Sequence, residues 1–417
     1  MTSDATFEKD ILALALATRQ DRKPIAIRIL NLIWEKGLYP ASIAPVYQAL
    51  GRGELPPMTI PAFNVRGLTY PLARAIWHTA IQLNCGPIIF ELAPSESSGC
   101  DQTFEEYAAM VMAAAYQEGY RGPVFLQGDH FNLDTANDLI RLEELAINVI
   151  EAGYYQLDID GSHLYDSQAE SLDGFHAPNA QITAQLIETL RLTQPRTIHI
   201  ALGGEVGEIG GANTTVDDLI AFHSKLQKHL PENIPGLDKI SAQTGTTHSG
   251  IVLPDGTTGR MSVDFDLIAK LSRQARQFGW SGLVQHGAST LRMEDLAQLP
   301  AAGVIEVHLA TQIQNILFDH PAFPQALRNQ MKAELVTTTR GAEGHHVDTS
   351  EELSGAQRFY QARWAAWGLY KPELWQLPPD VLAQVGESLS DWATSIFQAL
   401  QVSDRSQVLR DFYSEGK

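Results

Sequence analysis

Residues 124–150 read VFLQGDHFNLDTANDLIRLEELAINVI. A short apolar run, Val124 to Gln127, leads into Asp129-His130, and after a polar turn apolar residues recur at helical spacing from Asp134 to Ile150. This is one strand followed by one amphipathic helix. The same unit recurs on both sides. Strands are predicted at Thr59 to Phe63, Pro87 to Leu92, Val124 to Gln127, Tyr155 to Ile159, Thr197 to Leu202, Lys239 to Ala242, Gly282 to Gln285 and Val304 to Leu309. Helices are predicted between them at Tyr70 to Leu83, Phe104 to Glu118, Asp134 to Ile150, Pro178 to Leu192, Val216 to Lys228, Asp264 to Phe278 and Glu294 to Leu299. Each crossover is long enough for a right-handed βαβ unit. Eight such repeats over about 260 residues fit an α/β fold of the (β/α)8 TIM-barrel type. A doubly wound sheet carries fewer strands and a glycine-rich first turn, and no GxGxxG follows the first strand here.

The expected organisation is a helical N-terminal segment over 1–57, a catalytic barrel over 58–320 and a helical C-terminal extension over 321–417. In the first segment Ile25 to Trp34 and Ala41 to Leu50 have apolar faces, interrupted by Tyr39-Pro40. In the last, a polar stretch from Thr337 to Gly355 is a loop or lid candidate. The aromatic run Phe359, Tyr360, Trp364, Trp367, Tyr370 and Trp375 is expected to pack the C-terminal helices on the barrel or a sister subunit. No role is assigned to His345-His346.

Thirty Lys+Arg stand against 49 Asp+Glu, a formal charge of −19. Phosphate backbones are bound by clustered Lys and Arg, so nucleic acid is not an expected partner. With 44% apolar and 19% charged residues the chain is expected to bury a large core. Cys85 and Cys100 are too few for a disulfide framework and are read as reduced thiols. The N-terminus lacks the order of a signal peptide, and the most apolar stretch, Ala108 to Tyr116, is too short for a bilayer. A cytoplasmic protein with no membrane partner is the expectation.

Barrel chemistry gathers at the C-terminal ends of the strands. In order, the predicted strands deliver Asn64, Glu91, Asp129-His130, Asp160, Glu205, His248, His286, and His308 with Thr311. A single strand-end histidine carries little meaning. Three histidines projecting into one mouth form the open coordination of catalytic zinc, and an all-imidazole set suits Zn2+ better than Mg2+. Asp160 and Glu205 then read as supporting carboxylates or an alternate metal position.

Five strand-end segments carry the signal: QGDH at 127–130, DIDGSHL at 158–164, GEVGEIGG at 204–211, TGTTHSG at 244–250 and QHGAST at 285–290. With Pro-Ala-Phe-Asn at 61–64, they make residues Ile60 to Phe318 resemble the class II, metal-dependent fructose-bisphosphate aldolase family. The resemblance implies a catalytic zinc on His130, His248 and His286, with a monovalent cation as a further cofactor candidate. It implies that Asp129 handles the proton of the substrate's C4 hydroxyl, and it places substrate phosphate on Gly250, Gly287, Ser289 and Thr311. Asn64 is carried over as a substrate contact. The implied activity is reversible cleavage of a phosphorylated ketose to dihydroxyacetone phosphate, or a close analogue, and an aldehyde. The enediolate's charge would be stabilised by the metal. The implied partners are a small-molecule sugar phosphate and further copies of the chain in a homo-oligomer.

Two positions depart from the family pattern. Where the family carries a mobile-loop Glu after Gly210-Gly211, this chain has Asn213, which cannot take a proton. Glu208, Asp217 and Asp218 are the nearby carboxylates, and Glu208 is taken as the substitute acid/base. Strand eight reads Glu306-Val307-His308-Leu309-Ala310-Thr311 in place of the family's Lys-x-Asn pattern, so His308 is read as contacting an altered substrate. These departures motivate two alternatives: a metal-dependent sugar or sugar-phosphate epimerase, and a non-catalytic sugar-phosphate-binding subunit. Arg66, Arg260, Arg292 and Lys371 are read as solvated surface charges.

Overall fold

The computed structural model describes residues 4–133, 135, 138–207, 211–246, 251–254, 258–259, 261, 263–335 and 354–414. Eight parallel strands close into a barrel: β1 (Ile60–Phe63), β2 (Ile89–Leu92), β3 (Gly122–Asn132), β4 (Gln156–Asp160), β5 (Ala201–Val206), β6 (Lys239–Ala242), β7 (Leu283–Gln285) and β8 (Val304–Leu309). Each pairs with its successor, and β8 returns to β1 through Glu306↔Ile60 to Leu309↔Phe63. The barrel expected from the periodicity is therefore present.

Two strands, β3 and β5, depart from their predicted limits by four residues or more at an end. β3 runs five residues beyond Gln127, to Asn132, and β5 begins at Ala201 and reaches Val206. Gly, Asp and His are poor strand formers, so local preference underestimates both ends where pairing with neighbours overrides it. The region predicted as one helix from Glu294 to Leu299 is two short helices, Met293–Leu296 and Leu299–Ala302, with a proline just inside the second.

The N-terminal residues form helices Asp4–Leu16, Arg19–Trp34 and Ala44–Gly51. Tyr39-Pro40 does more than interrupt them: Leu38–Pro40 is a short strand, parallel to the start of β3 at Gly122 to Val124. Helix Pro379–Ala399 packs on helix Thr69–Gln82, and Phe397 and Trp392 meet Phe63 edge-on at 5.6 and 5.9 Å.

The aromatic stretch of the C-terminal extension lies on the segments that follow β1 and β2. A Cβ at Gly67, whose φ is +75°, would sit 2.5 Å from the Trp367 ring, and one at Gly99 would overlap Trp364 at 2.0 Å. Trp375 Nε1 donates to the Gly67 carbonyl at 3.0 Å. Two charges read as surface residues are buried where this extension meets the rest of the chain. Lys371 lies 2.8 Å from Glu106, which also meets Arg22 at 3.3 Å, and Arg66 pairs with Glu96 under the Trp364 ring. Arg292 is half exposed beside Asp295, as expected, and Arg260 lies outside the described residues. Among the described residues no helix is long and apolar enough to cross a membrane.

Candidate active site

Successive residues of a strand face opposite sides, so Asp129 and His130 should not both point into the barrel. A β-bulge brings them together. Gly128 pairs with Leu157, but the next pairing joins Phe131 to Ile159, leaving Asp129 and His130 opposite the single residue Asp158. His130 takes up the extra length with φ +44°, a left-handed conformation uncommon for a residue with a side chain. Its ring then lies 4.5 Å from that of His286 on the loop after β7, and Asp129, His130 and His286 bring donor atoms within 4.8 Å of one another.

Carboxylates surround this pair. His130 Nδ1 is 3.0 Å from Glu205 Oε1 and 3.4 Å from Asp160 Oδ2, while its Nε2 is 3.6 Å from Asp129 Oδ2. Asp160 is further held by the Ser162 amide and hydroxyl at 3.0 and 2.6 Å. Burial would raise the Asp160 carboxyl, but its hydrogen bond to His130 brings it down to about 2. Burial, helped by the Asp160 charge, pushes Glu205 up to about 7. Burial opposes ionisation of Asp129 too, yet the His130 and His308 charges hold it well below the usual range.

Beneath this rim the barrel floor is ionic. Lys239 is fully buried, with Nζ 2.6 Å from Glu306 and 2.9 Å from Asp158, and Gln127 joins both carboxylates through Nε2. Gly203 makes room for the pair: a Cβ there would sit 2.1 Å from Asp158 Oδ1. Tyr47, from the N-terminal helix Ala44–Gly51, donates to the other oxygen of Glu306. His308 links floor to rim. Its Nε2 is 2.7 Å from Glu306, its Nδ1 is 2.9 Å from Glu91 and 3.3 Å from Asp129, and its ring lies 4.1 Å from that of His286, tilted by 34°. Glu91, pushed up to about 8 by burial against the His308 charge, is a second carboxylate at this corner.

These residues fit a divalent cation. Six carboxylates, Glu91, Asp129, Asp158, Asp160, Glu205 and Glu306, are buried here, and Lys239 pairs with two of them, Asp158 and Glu306. Asp129 Oδ1 and Glu205 Oε1 are buried and accept no hydrogen bond among the described residues. A mixed imidazole and carboxylate donor set is what zinc accepts.

Three of the sequence-derived site residues, Glu208, His248 and Gly250, lie outside the described residues. Asn213, where the family glutamate stands, is exposed. Of the nearby carboxylates Asp218 is already engaged, capping helix Val216–His229 through Thr215 and meeting His176 at 2.9 Å. On the loop after β7, Gly287 turns with φ +67° into the short helix Ala288–Thr290, and Ser289 Oγ is buried without a hydrogen bond among the described residues. Asn64 donates to Glu96 at 2.6 Å, and its own Oδ1 is buried and accepts nothing among those residues. Thr311 opens helix Thr311–Phe318 beyond β8.

Sequence reading missed Gln127, Asp158, Lys239 and Glu306 as parts of this site. A signal was there: Gln127/Asp129, Asp158/Asp160 and Glu306/His308 are each two apart, so each pair shares the inner face of its strand.

Among solved structures the chain resembles the fructuronate-tagaturonate epimerase UxaE of Cohnella laeviribosi, with TM-score 0.60 and 12% identity over 83% of this chain and 82% of that one. The YdjI aldolase of Escherichia coli K12 matches with TM-score 0.53 and 15% identity over 88% and 99% of the two chains. The fructose-bisphosphate aldolase of Campylobacter jejuni matches with 0.52 and 19% over 88% and 97%. At these identities the likeness is one of fold. The family model described as fructose-bisphosphate aldolase class-II matches residues 48–356, about three-quarters of the chain, so the bulged Asp129-His130 strand and the loop carrying His286 belong to a member of the class II fructose-bisphosphate aldolase family.

Proposed function

We propose that the protein is a zinc-dependent carbon–carbon lyase that splits a phosphorylated ketose into dihydroxyacetone phosphate, or a close analogue, and an aldehyde. The observation that carries this reading is the bulge in β3, which turns Asp129 and His130 toward the same mouth as His286. His130, His286 and the sequence-assigned His248 would hold the ion, with Glu205 and Asp160 supporting His130. When bound, the ion supplies Lewis-acid stabilisation of the negative charge that cleavage develops on the ketose oxygens.

The protein's own residues supply the rest. Asp129, held as a carboxylate, takes the proton of the C4 hydroxyl as the C3–C4 bond breaks and the aldehyde carbonyl forms. The bonding pair passes to the three-carbon fragment, which takes up a proton at C3; Glu208 is the group assigned to deliver it. The buried Ser289 hydroxyl and the Gly287 turn, with Gly250, would bind the phosphate, and Asn64 and Thr311 are assigned as further substrate contacts. The negative net charge does not oppose an anionic substrate, because local amide donors and a cation set the field at the site.

A second reading, epimerisation at the same metal, is favoured by the exposed Asn213 in place of the family acid/base. The fold likeness to an epimerase agrees with it. Zinc-loaded protein incubated with a panel of ketose mono- and bisphosphates and followed by NMR separates the two. A three-carbon phosphate with an aldehyde supports the lyase, a stereoisomer with no fragment supports the epimerase, and neither product refutes both.

A further inference from the structure

The Asp129 carboxylate carries the proton transfer proposed above, and something must hold it in one orientation. Its two oxygens face different partners: Oδ2 looks to His130 at 3.6 Å and Oδ1 to His308 Nδ1 at 3.3 Å. His130 belongs to the metal cluster, so His308 is the partner left to fix the carboxylate from the other side. His308 is itself held from below. Its Nε2 meets Glu306 Oε1 at 2.7 Å. That oxygen also accepts from Lys239 at 2.6 Å and Gln127 at 2.7 Å, while Tyr47 donates to its neighbour. Every group in this column is at least nine-tenths buried, and its members come from β3, β6, β8 and the N-terminal helix Ala44–Gly51.

A carboxylate that accepts from four donors has no freedom to turn. The His308 ring is therefore pinned at Nε2 and lies tilted by 34° against the His286 ring at 4.1 Å, so its Nδ1 edge faces Asp129 and Glu91. Nε2 is hydrogen-bonded to Glu306, while Nδ1 lies at ion-pair distance from Glu91, 2.9 Å, and Asp129, 3.3 Å, without a hydrogen bond among the described residues, so this edge acts on the two carboxylates by charge.

We propose that His308 is a positioning residue for Asp129, and that Glu306, braced by Lys239, Gln127 and Tyr47, sets the orientation of His308. The proposal rests on the role given to Asp129 under the lyase reading. The barrel floor then has a task beyond filling space: it sets the direction of a carboxylate at the rim.

The test compares His308→Gln, Glu306→Gln and the double variant with the wild type, by crystal structure, zinc content and steady-state kinetics. In His308→Gln the Asp129 carboxylate turns away from its wild-type orientation, zinc content is unchanged, and kcat falls on the order of 100-fold with KM unchanged, the cost of a misplaced reacting group. Glu306→Gln lowers kcat in the same direction by a smaller factor, and the double variant is no worse than His308→Gln, because the two act through one path. A raised KM with kcat preserved would make His308 a substrate contact and overturn the proposal, as would loss of zinc. An Asp129 carboxylate that does not move overturns it whatever the kinetics. If His308→Gln does not fold, Glu306→Gln, which keeps the shape, is read by the same criteria. A wild type inactive on every ketose would refute the lyase reading, while the orientation of Asp129 in the variants still decides this proposal.

Discussion

Replacing Lys239 by Met tests whether the ionic floor holds the barrel together. The ammonium sits 2.6 Å from Glu306 and 2.9 Å from Asp158 with no solvent exposure, so the variant keeps the aliphatic stem and strands two carboxylates without their cation. Removing one partner of a buried ion pair costs about 3–5 kcal/mol. At about 2 °C per kcal/mol for a domain of this size, the melting temperature should fall by roughly 6–10 °C near pH 7.5.

The pH dependence gives the sign a second check. Burial would raise the Glu306 carboxyl, but Lys239 and His308 bring it down to about 2, below its unfolded value of about 4.3. A depressed carboxylate contributes stability that is present above the unfolded value and is lost as pH falls through the folded one. The wild type therefore loses this contribution between about pH 4.5 and 2, and the gap between wild type and Lys239→Met narrows there. Adding Glu306→Gln to Lys239→Met removes one stranded charge and should recover part of the loss. Circular-dichroism melts across pH read all of this. A Lys239→Met protein melting within about 2 °C of wild type near pH 7.5, or a gap that widens on acidification, would refute the reasoning.

Other outcomes follow from the same geometry. Gly67→Ala puts a methyl 2.5 Å from the Trp367 ring at a positive φ, and overpacking of this kind costs about 1–3 kcal/mol. Limited proteolysis should then cut the C-terminal extension faster in the variant than in wild type. His286→Ala should lower zinc stoichiometry measured by plasma emission while leaving the far-UV circular dichroism unchanged. Ser289→Ala should weaken inorganic phosphate as a competitive inhibitor several-fold, about 1 kcal/mol for a lost hydrogen bond, with zinc content intact.

The barrel was legible because its strands and helices differ in period, and local pattern is enough to count such units. The rim of the site was legible for a related reason: Asp160, Glu205 and His286 stand where apolar runs stop. The bulge at Asp129-His130 was not, since it arises from pairing with β4 rather than from either residue's own preference. Lys239 at the first position of a strand reads locally as a solvated charge; only the closed barrel sets it against Asp158 and Glu306. Lys371 and Arg66 were misread for the same reason. Each is buried by a contact with residues far along the chain, Lys371 with Glu106 and Arg66 beneath Trp364.

The lyase reading depends on a metal held in the mouth shared by His130 and His286. Zinc-edge anomalous diffraction from crystals grown with zinc tests it most directly. One strong peak is expected within coordination distance of a nitrogen of each of these two histidines, lost in His286→Ala. A zinc-loaded crystal with its peak elsewhere, or with none, from protein that still turns over its substrate would contradict it.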